Sequence, residues 1–150
     1  MDTGKIQGVK KVYFSCSISG GRDHAHVHQD IIAYIKATGA HVLSELFADS
    51  SLAAHIGTTP DLSAQETWQR DVDWLQEADA IIAEVTQPSF GVGYEIAKAE
   101  DLGKPILILF FAESGRRLSP MLRGNPKLKL FEYSDIKQSK NIIKDFLNNT

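Results

Sequence analysis

With 150 residues, 43% apolar and 23% charged, the chain has the make-up of a soluble globular protein able to bury a core without metal or disulfide. A formal charge of -3 argues against a nucleic-acid-binding surface, because nothing offsets phosphate repulsion globally, while a local basic pocket for one phosphate stays compatible with it. The single cysteine, Cys16, excludes an internal disulfide and suits a reducing compartment.

Residues 1–9 read as a flexible N-terminal segment, polar and without the apolar stretch of a signal peptide, and residues 10–150 as one domain. Short apolar runs then alternate with longer amphipathic ones, the pattern of an α/β fold with a parallel sheet. Strands are expected at Lys11–Ser17, His41–Phe47, Ala80–Val85, Pro105–Phe111 and Leu128–Tyr133. Between them, helices are expected at Asp23–Thr38 before Gly39, from the Ser63/Glu66 capping box to about Ala78, at Gly91–Leu102, and at Ser134–Leu147. The segment Ala48–Leu62 reads as a loop with one helical turn at most. The longest apolar run, Pro105 to Ala112, is too short to cross a bilayer, so a cytoplasmic protein with no membrane partner is expected. These elements predict a Rossmann-like, doubly wound sandwich, a five-stranded parallel sheet flanked by helices, with its ligand site at the carboxyl ends of the strands.

Two carboxylates fall on the wrong side of their helices when the sequence is projected at about 100° per residue. In the second helix Asp71 lies within the apolar stripe of Trp68, Val72, Leu75 and Ala78, while Asp73 and Glu77 point away. In the third, Glu95 lies among Val92, Ile96, Ala99 and Leu102. An inward acid costs several kcal/mol unless it is paired or lines a polar cavity. One such acid reads most simply as a cap or an ion-pair partner. Two on helices flanking the same strand, beside a glycine-rich turn, mark a candidate site.

That turn is Thr86-Gln87-Pro88-Ser89-Phe90-Gly91-Val92-Gly93, with Ser89 at an N-cap position and glycines that admit a ligand to the backbone. The first strand leads into a second such turn, Ser15-Cys16-Ser17-Ile18-Ser19-Gly20-Gly21-Arg22, whose hydroxyls, glycines and one Arg suit sugar or phosphate contacts. Neither turn is a dinucleotide or triphosphate fingerprint. His24 and His28 share a helix face, but no Cys or carboxylate cluster completes a metal set, so a solvated face is expected and no metal or cofactor is assigned. Cys16 reads as a small buried hydrophobe, Trp68 and Trp74 as core rather than base-stacking platforms, Phe90 as a stacking platform as readily as core, and Arg116-Arg117 as surface.

The run from Arg70-Asp71-Val72-Asp73-Trp74-Leu75 through Ala83-Glu84-Val85-Thr86-Gln87-Pro88-Ser89-Phe90-Gly91-Val92-Gly93-Tyr94-Glu95 resembles the 2'-deoxynucleoside 5'-monophosphate N-hydrolases of the nucleoside 2-deoxyribosyltransferase superfamily. So does Ser114-Gly115-Arg116-Arg117-Leu118-Ser119-Pro120-Met121, and the likeness extends from Val12 to about Asp145. The resemblance implies a hydrolase that cleaves an N-glycosidic bond through a glycosyl-enzyme on Glu95. It implies that Asp71 assists departure of the base and that Tyr13 hydrogen-bonds the nucleophile. It further implies substrate contacts from Ser17, Ile18, Ser19, Gly20, Arg22, Ser89, Gly91 and Met121, and from Ser119 reaching in from the partner subunit of a homodimer with shared sites.

Three positions depart from the family pattern. Ser19 stands where an Arg is common, Cys16 where a Gly is usual, and Leu46 where a His is often found. Arg22, Arg116 and Arg123 are the candidates to replace the missing cation. Two alternatives therefore stay open beside the hydrolase: a transferase that exchanges bases on unphosphorylated nucleosides, and a non-catalytic nucleotide-binding module.

Overall fold

The computed structural model describes residues 9–18, 25–45 and 62–150. The expected loop around Ala48 and the turn residues Ser19, Gly20 and Arg22 lie outside these. Five strands, β1 (Lys11–Cys16), β2 (His41–Val42), β3 (Ala80–Glu84), β4 (Ile106–Phe111) and β5 (Lys129–Tyr133), form one sheet in the order β2-β1-β3-β4-β5, parallel at every pairing. Five α-helices cover it: α1 (Ala25–Ala37), α2 (Ala64–Glu77), α3 (Phe90–Asp101), a single turn α4 (Pro120–Arg123) and α5 (Ser139–Asn148). Helices α1 and α5 pack together in one layer, α2 and α3 in the other, as the doubly wound reading requires.

The central strands are near-continuous apolar runs because both faces are covered. In β3 all five residues are buried, and in β4 all but Phe111. The helix limits follow local chemistry. The Ser63 hydroxyl accepts from the Glu66 amide at 3.2 Å while the Glu66 carboxylate accepts from the Ser63 amide at 2.7 Å, the reciprocal cap the spacing predicts. Gly39 and Gly103 end α1 and α3 with φ of 87° and 70°, a left-handed conformation that side chains other than glycine adopt at a cost.

Three elements differ from expectation, each for a physical reason. Strand β2 leaves the ladder early. Leu43 still donates to the Val12 carbonyl at 2.9 Å, but the Ser44 hydroxyl then accepts from the Phe14 amide at 2.8 Å and donates to the Phe14 carbonyl at 2.7 Å. A side chain thus takes both backbone groups that another strand residue would have used. The last helix is split: Asp135 caps a 3-10 turn, Ile136–Gln138, before α5 begins. Helix α4 was not anticipated, being too short for any periodicity. Among the described residues no helix is long and apolar enough to cross a membrane.

Candidate active site

The site forms where β1 and β3 lie side by side at the centre of the sheet, near their carboxyl ends. Alternation puts Tyr13, Ser15 and Ser17 on one face of β1, and α2 and α3 pack over that strand. Glu95, in the second turn of α3, is partly buried with its carboxylate turned down onto β1. The Ser15 hydroxyl donates to Glu95 Oε2 at 2.5 Å, and the fully buried Tyr13 hydroxyl interacts with the same carboxylate. Asp71 on α2 is close enough for its charge to act on both Glu95 and Tyr13. Its carboxylate is held in turn by Arg70, whose Nε donates to Oδ1 at 2.9 Å and whose guanidinium lies 4.8 Å over the Trp74 ring.

Electrostatics sets the two acids apart. Burial pushes Glu95 up to about 7, with the Asp71 charge adding to the rise and the Ser15, Tyr13 and Arg70 interactions opposing it. Asp71 is also raised by burial, against the opposing hydrogen bond and charge of Arg70. Burial and the neighbouring carboxylates hold the Tyr13 phenol well above its ordinary value, so it stays a neutral donor. The site therefore offers a carboxylate that becomes available near neutral pH, a hydroxyl on either side to orient it, and a second acid beside it. This is the inventory of nucleophilic substitution at a carbon whose leaving group needs help.

Behind Glu95 runs the β3–α3 turn. Ser89 caps α3, its hydroxyl accepting from the Val92 amide at 3.3 Å. A Cβ added at Gly93 would meet nothing within 4 Å, and one at Gly91 only the Ser89 hydroxyl at 3.8 Å. Neither glycine has a positive φ, so the fold itself has no need of glycine at these positions. What two bare positions at a helix start provide is close access to backbone amides from outside. Along the outer side of α3 lies a groove of about 490 Å³ whose lining includes Ser89, Phe90, Tyr94, Ser119 and Met121. Ser119 caps α4, accepting from the Met121 amide at 3.3 Å.

A separate buried network supports the turn from the other face of the sheet. Glu84, 2% exposed, accepts from the Tyr133 hydroxyl at 3.2 Å and from both the amide and the hydroxyl of Thr86, and its other oxygen lies 3.5 Å from His28 Nε2. Thr86 in turn accepts from the Phe111 amide at 2.9 Å, tying the start of the turn to β4.

Glu95, Asp71 and Tyr13 are thus brought together, with Ser17 buried at the end of the same strand and Ile18 partly buried beside it. Ser89, Gly91, Ser119 and Met121 gather on the outer groove side, where Ser119 shares the groove with Ser89 of its own chain. Two expectations are corrected. His28 is buried, 7% exposed, because α1 turns it onto Glu84 and the Phe14 ring rather than to solvent. Trp68 is 48% exposed, its indole donating to the Tyr94 hydroxyl at 3.2 Å, because it lies one turn beyond the part of α2 that reaches the sheet. Cys16 is buried as expected. Ser15, expected only as one hydroxyl of a sugar- or phosphate-binding turn, instead holds Glu95, and Arg70 and Glu84 carry no expectation from the sequence. Strand parity with Tyr13 is the signal for the first, and a lone acid in an apolar strand is the signal for the third.

Comparison with known proteins identifies the family. The family model described as nucleoside 2-deoxyribosyltransferase matches residues 12–129. The chain is 41% identical over 141 residues to the 5-hydroxymethyl-dUMP N-hydrolase of Tetraodon nigroviridis, covering 93% of this chain and 98% of that one. It is 42% identical over 127 residues to the protein of the same name from Rattus norvegicus, covering 83% of this chain and 77% of that one. Among solved structures it superposes on the Clostridium botulinum CMP N-glycosidase with a TM-score of 0.65 at 19% identity, over 89% of this chain and 98% of that one, a likeness of fold.

Proposed function

The chain belongs to the nucleoside 2-deoxyribosyltransferase family, and from that footing we propose that it hydrolyses the N-glycosidic bond of 2'-deoxynucleoside 5'-monophosphates through a glycosyl-enzyme on Glu95. It is an N-glycosidase by relationship; the residue roles are inferences from geometry. The observation that carries them is the Glu95 carboxylate accepting from the Ser15 hydroxyl at 2.5 Å, with the Tyr13 hydroxyl and the Asp71 charge acting on it as well.

In the first half-reaction a Glu95 oxygen attacks the anomeric carbon as the bond from that carbon to the base nitrogen breaks. Asp71 delivers a proton to the departing nitrogen, directly or through one water. In the second, water attacks the same carbon, the ester to Glu95 breaks, and Asp71 receives the proton that water loses. Free base and deoxyribose 5-phosphate leave, and the enzyme is restored. Ser89 and the backbone around Gly91 receive the phosphate at the start of α3, where helix geometry favours an anion.

The protein works as a homodimer in this account. Phe90 is 102% exposed, Met121 80% and Tyr94 53%, and all three border the groove along α3. A second copy seated there covers this apolar surface and carries its own Ser119 toward the first copy's Ser89. The single cysteine, Cys16, buried as a free thiol, supports a reducing, cytosolic setting.

The test is product release from a panel of deoxy- and ribonucleoside 5'-monophosphates and the matching nucleosides, with and without an acceptor base. Free base and sugar phosphate without acceptor support the hydrolase. Base exchange that requires the acceptor replaces it with a transferase, and silence across the panel removes the catalytic reading. Ser119→Ala is expected to raise KM for monophosphates more than for nucleosides, and equal effects on both contradict a phosphate role for it.

A further inference from the structure

Arg70 belongs to the site, yet the chemistry above gives it no part. Its side chain and that of Asp71 are neighbours in sequence, and adjacent helical residues project in directions that do not face each other. Arg70 reaches Asp71 only by curling over the ring of Trp74, four residues on, with its guanidinium carbon 4.8 Å from the ring centroid. From that shelf Nε and Nη2 both come within 2.9 Å of Asp71, and both meet the same oxygen, Oδ1. A side-by-side guanidinium–carboxylate fork engages both oxygens. Here Oδ1 takes both contacts, which leaves Oδ2 outside the clamp. The two side chains are each only 17% exposed, so this is not a solvent-screened surface pair.

We propose, resting on the N-glycosidase reading, that Arg70 is a positioning residue: its clamp on Oδ1 presents Oδ2 of Asp71 to the departing base and sets a positive charge against the two carboxylates. Among the described residues, the titratable and charged groups that face this cluster are Tyr13 from β1, Arg70 and Asp71 from α2, and Glu95 from α3. Without the guanidinium, the charge on ionised Glu95 sits in a partly buried space beside Asp71 with no positive charge of the cluster facing it. The charge thus lets Glu95 ionise at a lower pH, and the two-point contact fixes where Asp71 reaches. Those two contributions separate by mutation. Lysine keeps the charge and loses the two-point clamp; glutamine loses the charge.

The experiment compares wild type, Arg70→Gln, Arg70→Lys, Asp71→Asn and the Arg70→Gln/Asp71→Asn double variant, each checked for folding by circular dichroism. Arg70→Gln is expected to move the acidic limb of kcat/KM upward by about half a pH unit or more and to lower kcat about tenfold, with a smaller change in KM. Arg70→Lys is expected to keep the limb near its wild-type position while still losing kcat. Above the acidic limb, where Glu95 is ionised in every variant, the double variant is expected to lose no more kcat than Asp71→Asn alone, since the positioning contribution acts through Asp71. An unmoved limb in a folded Arg70→Gln enzyme, or a double variant whose loss is the product of the single losses, overturns the proposal. A carbon-13 titration of the Asp71 and Glu95 carboxyls in wild type and Arg70→Gln gives a readout independent of turnover. If wild type releases no base from any nucleotide the glycosidase reading fails, while this titration still decides whether Arg70 governs the two acids.

Discussion

Removing the Ser15 hydroxyl tests how the site holds its nucleophile. Ser15 is fully buried and donates to Glu95 at 2.5 Å, a hydrogen bond to a group that carries charge when active. Such bonds contribute about 1.5–3 kcal/mol. At about 1.4 kcal/mol per pKa unit, Ser15→Ala takes away about one to two units of the effect that opposes burial. Glu95, at about 7 in the wild type, then titrates between about 8 and 9. Below its pKa the carboxyl is protonated and cannot attack, so kcat/KM at pH 7 is expected to fall roughly 5- to 50-fold, with most of the loss recovered above about pH 9. The assay is the pH profile of base release under kcat/KM conditions. A variant that folds normally and keeps its acidic limb at the wild-type position refutes the assigned role of Ser15.

The same burial has a stability consequence. The folded state holds the Glu95 proton more tightly than the unfolded chain, at about 7 against 4.5. This contribution to stability is therefore complete below the unfolded value and lost as pH rises through about 7. Glu95→Gln is expected to match wild type near pH 4 and to exceed it by up to about 3 kcal/mol above pH 8, read from urea unfolding. A Gln variant less stable than wild type at the higher pH contradicts the burial argument. On the other face, Glu84→Ala leaves the Tyr133 hydroxyl and the Thr86 amide and hydroxyl without their shared acceptor and is expected to cost about 2–4 kcal/mol in the same assay. A loss below about 1 kcal/mol shows that water or a rearrangement replaces the carboxylate.

Periodicity made Asp71 and Glu95 legible in the sequence, because a carboxylate inside an apolar arc breaks a pattern that runs within one helix. The Ser63 cap, the glycine stops and the parallel sheet were legible for the same local reason. Ser15 was not, since its partner lies eighty positions away and only the packing of α3 over β1 brings the two together. His28 was misread because helix periodicity says which residues share a face but not what that face meets. Here it meets Glu84, an acid whose strand reads as uniformly apolar apart from it. Strand β2 stops short because Ser44 turns its hydroxyl onto Phe14, a side-chain bond that no propensity announces. Helix α4 left only its Ser119-Pro120 start as a sign, a cap followed by a residue preorganised for the first turn.

The covalent step on Glu95 is tested most directly by quenching the wild-type enzyme during turnover and mapping the mass of its peptides. A glycosyl-enzyme on Glu95 leaves a transient deoxyribosyl phosphate adduct confined to the peptide that contains Glu95, absent from Glu95→Gln. An adduct on a different residue, or base release with no adduct and an inverted anomeric configuration in the sugar product, contradicts it.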